Sequence, residues 1–271
     1  LTNRKLCDSI GIKQPVTFYA WEQGTSRPTQ TQFDTYLRAV GADADVAQAM
    51  VQSVPSRLDR TWQTQYSGSG RNAVRNLVHV SELEEADVEW FAGRDDFEIT
   101  PEHYADAGIP QRLSVDADLM TLLGFYVAEG SCSDRNGIRL SIGNGNVAFA
   151  PEIAERMKRV FGIAPTLYEN VDRAAELKLV NRVAAAAWQS LFGFRGAESH
   201  TKRIPDLVFN VPASLRLAFL RGYFRGDGTA AAGRVGFATS SYDLASGLMY
   251  LLSSLGIVAS LSEHEPDGKV R

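Results

Sequence analysis

Two acidic residues, Glu129 and Asp227, close two related nine-residue segments, and acids placed in this way are candidates for holding a divalent cation. The segments are Leu122-Leu123-Gly124-Phe125-Tyr126-Val127-Ala128-Glu129-Gly130 and Leu220-Arg221-Gly222-Tyr223-Phe224-Arg225-Gly226-Asp227-Gly228. Each has a helical apolar pattern, a small residue four places after a glycine, and an acid-Gly ending. A glycine just past a helix is an ordinary stop. A carboxylate in the last turn is disfavoured, because the helix dipole is negative there. Two such acids at matching places in a repeat imply a positive charge from outside the chain, and a divalent metal meets that need.

The elements that position the acids follow from the same pattern. Asp116 or Asp118 can cap the first helix. The spacing of Gly124 with Ala128, and of Gly222 with Gly226, allows two helix backbones to approach closely. After Glu129-Gly130 the pattern predicts a hairpin with a strand over Ile138–Ile142, and a helix over Pro151–Phe161 with Ile153, Met157 and Val160 on one face. It then predicts short strands at 167–168 and 177–180, and a helix over Val183–Phe192. The second segment begins the same series: a strand over Val235–Ala238, a helix over Leu244–Leu255 and a strand over Val258–Leu261.

Both segments resemble the signature of the LAGLIDADG homing endonucleases. Two further elements extend the resemblance to the intein-borne branch. Lys202-Arg203-Ile204-Pro205 resembles its Lys-x-apolar-Pro element, and Thr239-Ser240-Ser241-Tyr242-Asp243 leads into Leu251-Leu252-Ser253-Ser254-Leu255-Gly256-Ile257, similar to its helix ending in Leu-Gly-Ile. The resemblance implies an α+β fold of two pseudo-symmetric αββαββα halves, 111–210 and 211–271, the second incomplete. Their helices would touch through Gly124, Ala128, Gly222 and Gly226, and a single chain would act as a monomer.

The implied activity is site-specific, Mg²⁺-dependent cleavage of double-stranded DNA. Glu129, Asp227 and Lys202 would be catalytic, and Gly226 and Ala128 would complete the metal site beside the two acids. Glu129 stands where the family more often has Asp. Lys202 would neutralise developing charge or polarise water; its plain alternative is a solvated lysine before a proline turn. Lys178 and the distant Lys269 are weaker candidates. Base edges would be read by Arg135, Asn136, Arg139, Ser141 and Asn144 in the first half, with Ser133 and Asp134 beside them, and by Arg234, Thr239 and Ser240 in the second. Each of these can equally be an ordinary polar strand or loop residue. The competing function is a DNA-binding transcription regulator that keeps this fold without cleavage; retention of both acids argues for the enzyme.

Residues 1–50 carry a second resemblance. Trp21, Glu22, Gly24, Arg27, Pro28, Leu37 and Gly41 match a phage-repressor type of helix-turn-helix. It implies an all-α DNA-binding domain whose recognition helix lies within Gln14–Trp21, with Gln14, Thr17 and Tyr19 as its polar reach and Phe18 and Trp21 towards the core. The alternative is a small helical bundle without DNA contact. Residues 51–110 read as a linker that includes Ser67-Gly68-Ser69-Gly70.

The net charge is −4. Residues 81–106 hold ten acids and one base, Arg94, which leaves the rest of the chain at +5. That balance suits contact with phosphate. No run of residues is long and apolar enough for a membrane span. Cys7 and Cys132 fit neither a disulfide framework nor a metal spacing, and point to a reducing cytoplasm. His79, His103, His200 and His264 form no metal pattern. Splicing uses a terminal Cys or Ser and a final His-Asn pair, and this sequence shows neither. It therefore reads as the endonuclease part of an intein whose splicing domain lies outside these residues, or as a freestanding protein.

Overall fold

A computed structural model describes residues 3–13, 15–23, 28, 30–43, 45, 63–64, 76–77, 80–94, 97–101, 108–169, 174–195, 198–231 and 233–263. The chain divides into two compact units, one of Leu1–Arg94 with Glu102–Ala105 and one of Asp95–Pro101 with Asp106–Arg271. The fold is mixed α and β, with helices and small antiparallel sheets.

The first unit opens with three short helices, α1 (Asn3–Ser9), α2 (Pro15–Glu22) and α3 (Gln30–Val40). Gly11 and Gly41 follow α1 and α3 with φ of +73° and +67°, a left-handed conformation that glycine adopts without steric cost. Leu6, Cys7, Ile10, Ile12 and Phe18 form a small core, against which Trp21, Tyr36 and Ala39 pack. Thr17 and Tyr19 are exposed on α2. Gln14, Gly24, Arg27 and the Ser-Gly stretch lie outside the described residues. The pairing β1 (Gln63–Thr64) with β2 (Asn76–Leu77), a 3-10 turn at Val80–Glu82 and the helix α4 (Glu85–Ala92) follow in this unit.

The second unit starts with a short antiparallel pair, β3 (Glu98–Ile99) with β4 (Ile109–Pro110), and is built on α5 (Ala117–Glu129). Asp116 caps it, accepting the N–H groups of Asp118 and Leu119 at 2.9 Å each. Apolar residues run almost all round this helix, and Leu119–Val127 are buried without a break. A helix of that kind needs cover on every side. One side is covered by a four-stranded antiparallel sheet in the order β5 (Gly130–Ser133), β6 (Gly137–Ile142), β8 (Ala175–Leu179), β7 (Thr166–Tyr168). In β6 and β8 buried positions alternate with half-exposed ones, as a sheet with one open face requires. Helices α6 (Ala150–Phe161) and α7 (Arg182–Phe192) add Ile153, Met157, Phe161, Trp188 and Phe192 to the core. Tyr126 packs on Trp188 and Phe194, with ring centroids 5.4 and 4.4 Å away.

After a single turn of helix, α8 (Asp206–Phe209), the series starts again with α9 (Ala213–Asp227), a hairpin of β9 (Gly228–Ala231) and β10 (Arg234–Phe237), and α10 (Tyr242–Ser254). α9 lies along α5 in the closest helix packing of the unit. A methyl group on Gly124 would overlap the Phe219 carbonyl oxygen, and one on Gly222 would overlap that of Thr121. Towards the helix ends, a methyl on Gly226 would overlap the Ala128 side chain and come within 3.1 Å of Glu129 Cγ.

One element differs from the expectation. Residues 258–261 are not a strand: the segment is irregular, and Val258 is fully exposed. Its apolar residue types suit a strand, but a strand also needs a neighbour to take its backbone hydrogen bonds. None of the described residues provides one.

Candidate active site

Glu129 is the last residue of α5 and Asp227 the last of α9, so the side-by-side packing of the two helices sets both carboxylates at one end of the pair. Both are half-buried. Burial raises the Glu129 carboxyl above its ordinary value, and the charge of Asp227 adds to this, while Lys202 works against it. Burial likewise raises Asp227, opposed by the Lys202 ammonium and the Tyr223 hydroxyl. These are the signs of two like charges kept together in a partly dry place with one cation nearby.

Lys202 is that cation. It is only 8% exposed. Its Nζ donates to the carbonyls of Tyr126 and Ala128 at 3.3 Å each, in the last turn of α5. A cation is favoured at that end of a helix. Its backbone is held as well, because the Ser241 hydroxyl donates to the Lys202 carbonyl at 2.6 Å. The same Ser241 oxygen accepts the Leu244 N–H at 3.2 Å and so caps α10. Burial lowers the Lys202 ammonium, while Asp227 and Glu129 restrain the fall.

Two carboxylates with nearby helix-end carbonyls are hard oxygen donors, the set that Mg²⁺ accepts when it keeps several waters. The raised carboxyls fit a cation too, since a bound positive charge would relieve their repulsion. The Ala128 carbonyl, expected at the metal, accepts Lys202 here. No group of three or more His, Cys, Asp or Glu side chains suited to a metal occurs among the described residues.

The other expected site residues are dispersed. Arg139 and Ser141 lie half-buried on the open face of the four-stranded sheet, and Arg135 and Asn136 are exposed in the β5–β6 turn. Arg234 is exposed on β10, and Thr239 is exposed where its Oγ1 accepts the Ser241 N–H at 3.1 Å. Asn144 opens a 3-10 turn, and its side chain lies outside the described residues. Lys178 is ion-paired to Glu176 at 2.7 Å. Lys269, His79, His103 and His264 lie outside the described residues. His200 is exposed, its Nδ1 3.7 Å from Glu198.

Three features of the site were not read from the sequence. Ser241 holds Lys202, and its place in a Ser-rich helix start was the available signal. Tyr223 sits buried against Asp227, with its hydroxyl raised by burial and by that charge. A chain of ion pairs joins Arg225, two residues before Asp227, to Glu152 at 2.7 Å, Glu152 to Arg156 at 2.8 Å, and Arg156 to Asp118. The Glu152–Arg156 pair has the i,i+4 spacing of a helix face, whereas the other two span 73 and 38 positions and carry no local signal.

Residues 214–271 match a family described as the LAGLIDADG-like domain. Among curated proteins, the chain is 29% identical over 215 residues to a DNA polymerase of Thermococcus hydrothermalis, and 30% identical over 213 residues to that of Thermococcus kodakarensis. Each alignment covers 74% of this chain but only 12% of the polymerase. A third relative is the replication factor C small subunit of Methanocaldococcus jannaschii, 30% identical over 148 residues, covering 54% of this chain and 8% of that protein. With all of α9 but its first residue, the β9–β10 hairpin and α10 inside the matched stretch, residues 214–271 are a LAGLIDADG-like domain.

Proposed function

We propose that this chain is the endonuclease part of an intein, a site-specific, Mg²⁺-dependent enzyme that cuts double-stranded DNA. The observation that carries this reading is the pair of half-buried acids at the joined ends of two closely packed helices, with a buried lysine held by carbonyls of the last turn of α5. Similarity to known proteins is a second support. One stretch of this chain is similar to small slices of proteins with two different names, a DNA polymerase and a replication factor C small subunit. An insert carried by different hosts produces that pattern, whereas a polymerase or replication-factor activity of the chain itself does not.

Glu129 and Asp227 would hold the cation. Once bound, it supplies Lewis acidity and an ionised water for attack on phosphorus. The chain's own part is positioning and charge. The glycine-lined contact of α5 and α9 fixes the separation of the two carboxylates. Lys202, held at its backbone by Ser241 and at its ammonium by two carbonyls, places a fixed positive charge beside the acids. There it stabilises negative charge that grows on the phosphate oxygens. The open sheet face, with Arg139 and Ser141, would lie in the major groove, and Arg135, Asn136, Asn144, Arg234 and Thr239 would add contacts around it. The helical segment 1–50 would be a helix-turn-helix that adds affinity through the exposed Thr17 and Tyr19 of α2. The enzyme would work as a monomer in a reducing cytoplasm.

The test is to incubate the protein with a randomised duplex library and Mg²⁺, and to sequence the ends produced. Cuts clustered at one sequence, and lost on adding EDTA, support the reading. Tight binding without cut ends would favour the DNA-binding regulator instead.

A further inference from the structure

On the open face of the four-stranded sheet, Arg139 and Lys178 stand directly opposite each other across β6 and β8. Like charges in that relation repel. Glu176, one pleat away on β8, separates them. Arg139 Nη2 donates to one of its carboxylate oxygens at 2.7 Å, and Lys178 Nζ to the other at 2.7 Å. Lys178 also lies over the ring of Tyr168 from β7, 4.5 Å from the centroid. The three charged side chains remain about a third exposed, at 36%, 29% and 27% for Arg139, Lys178 and Glu176. The two cations hold the Glu176 carboxyl below the ordinary carboxylate range, Lys178 more than Arg139, so that carboxyl is ionised at neutral pH.

We infer that Glu176 is a specificity-determining residue: it occupies Arg139 and Lys178, withholds both from phosphate, and leaves the ladder to be engaged by a G·C base pair. The inference rests on the reading that this sheet face meets DNA. A free arginine or lysine on such a face raises affinity for every sequence alike, because phosphate contacts carry no sequence information. A carboxylate facing DNA is repelled by phosphate and is tolerated where it accepts a hydrogen bond from an amino group. Cytosine N4 offers that donor in the major groove, and the guanine paired with it offers O6 and N7 to arginine. One G·C pair thus presents matched partners to Glu176 and Arg139 together. Lys178, tied to Glu176 and to the Tyr168 ring, keeps the carboxylate in place.

Glu176→Gln keeps the shape and removes the charge. Binding of wild type and variant to a fluorescent duplex of random sequence is measured over a series of KCl concentrations, with thermal melting alongside. The variant should bind the random duplex roughly tenfold more tightly for each cation freed, and its salt slope should steepen by about one to two units. Selection from a randomised duplex library should show a G·C preference for wild type that the variant loses. If Glu176→Gln fails to fold, Glu176→Gln with Lys178→Met removes the facing pair and leaves Arg139 free, and its slope should steepen by about one unit. A folded variant with unchanged slope and unchanged base preference would overturn the inference and leave the endonuclease reading standing. Wild type that binds no duplex at all would overturn both.

Discussion

The second unit contains the same run of elements twice, helix, hairpin and helix, and the two copies differ in how completely they are covered. In the hairpins, Gly130 pairs with Leu140 and Gly228 with Phe237, so Ile138 and Val235 hold equivalent places. Ile138 is 1% exposed and Val235 is 68% exposed. Tyr126 is enclosed by Trp188 and Phe194, whereas Phe224, at the matching place of the second motif, is half-buried and lines an open groove with Val235, Phe237 and Leu252. The cause lies outside the repeated segments. Among the described residues, β6 has a neighbour on each edge, and β10 has only β9. The motif and its hairpin therefore form from local sequence, whereas burial of the hairpin depends on a second pair of strands and the aromatic residues of α7. The site draws on the part that is alike in both copies, the helix pair with its terminal acids.

If the shared helix contact is the foundation of both copies, breaking it should have the largest effect. In Gly222→Leu the side chain would run into the Thr121 carbonyl and the backbone of α5. A loss of more than about 3 kcal/mol, at the upper end of overpacking costs, is expected in urea unfolding followed by circular dichroism. Wild-type stability in that variant would show that the helices do not need the glycine.

The difference between the copies can be measured by one pair of truncations. Tyr126→Ala should cost about 3–5 kcal/mol, as for a large core side chain. Phe224→Ala should cost about 1–2 kcal/mol, because only part of its area leaves water. Equal costs would mean that the open groove is covered in solution.

The next effect is on chemistry. Lys202→Met should slow cutting about a hundredfold, the scale of losing one preorganised electrostatic contact. It should also tighten Mg²⁺ binding, measured by calorimetry, because the acids lose their competing cation. Slower cutting with weaker Mg²⁺ binding would instead make Lys202 a support for the metal site.

The smallest expected effect is on stability against pH. Burial raises the Asp227 carboxyl in the folded state, so the protonated form is favoured there. Stability from this group is fully present below the unfolded carboxyl value and is lost as pH rises through the raised folded value. At neutral pH the ionised Asp227 is therefore a net cost. Asp227→Asn should melt at a higher temperature than wild type at pH 7, and the gap should shrink as pH falls through the carboxyl range. A lower melting temperature at pH 7 would contradict this electrostatic account.

Much of this arrangement was legible in the sequence because helix periodicity and glycine stops are local signals. The bounds expected for the helices at 151–161, 183–192 and 244–255 differ from the observed ones by one or two residues. The strand expected at 258–261 failed for a non-local reason: strand types are readable, but the neighbour that makes a strand is not. The same holds around the site. Glu129 and Asp227 stand out because a repeat marks them. Ser241 and the Glu176 ladder do not, since their roles depend on which residues the sheet and the chain crossing bring opposite one another. Arg139 could be picked out as a polar strand residue, but its partner lies 37 positions away.

The central claim is that the two acids act as one metal-dependent site, and the direct measurement is the cutting rate of Glu129→Gln and Asp227→Asn against wild type on the selected duplex with Mg²⁺. Either variant should lose cutting by roughly a thousandfold, the scale of several kcal/mol of metal-borne transition-state stabilisation, while binding the duplex with near wild-type affinity. Cutting at the wild-type rate by either variant would contradict that claim.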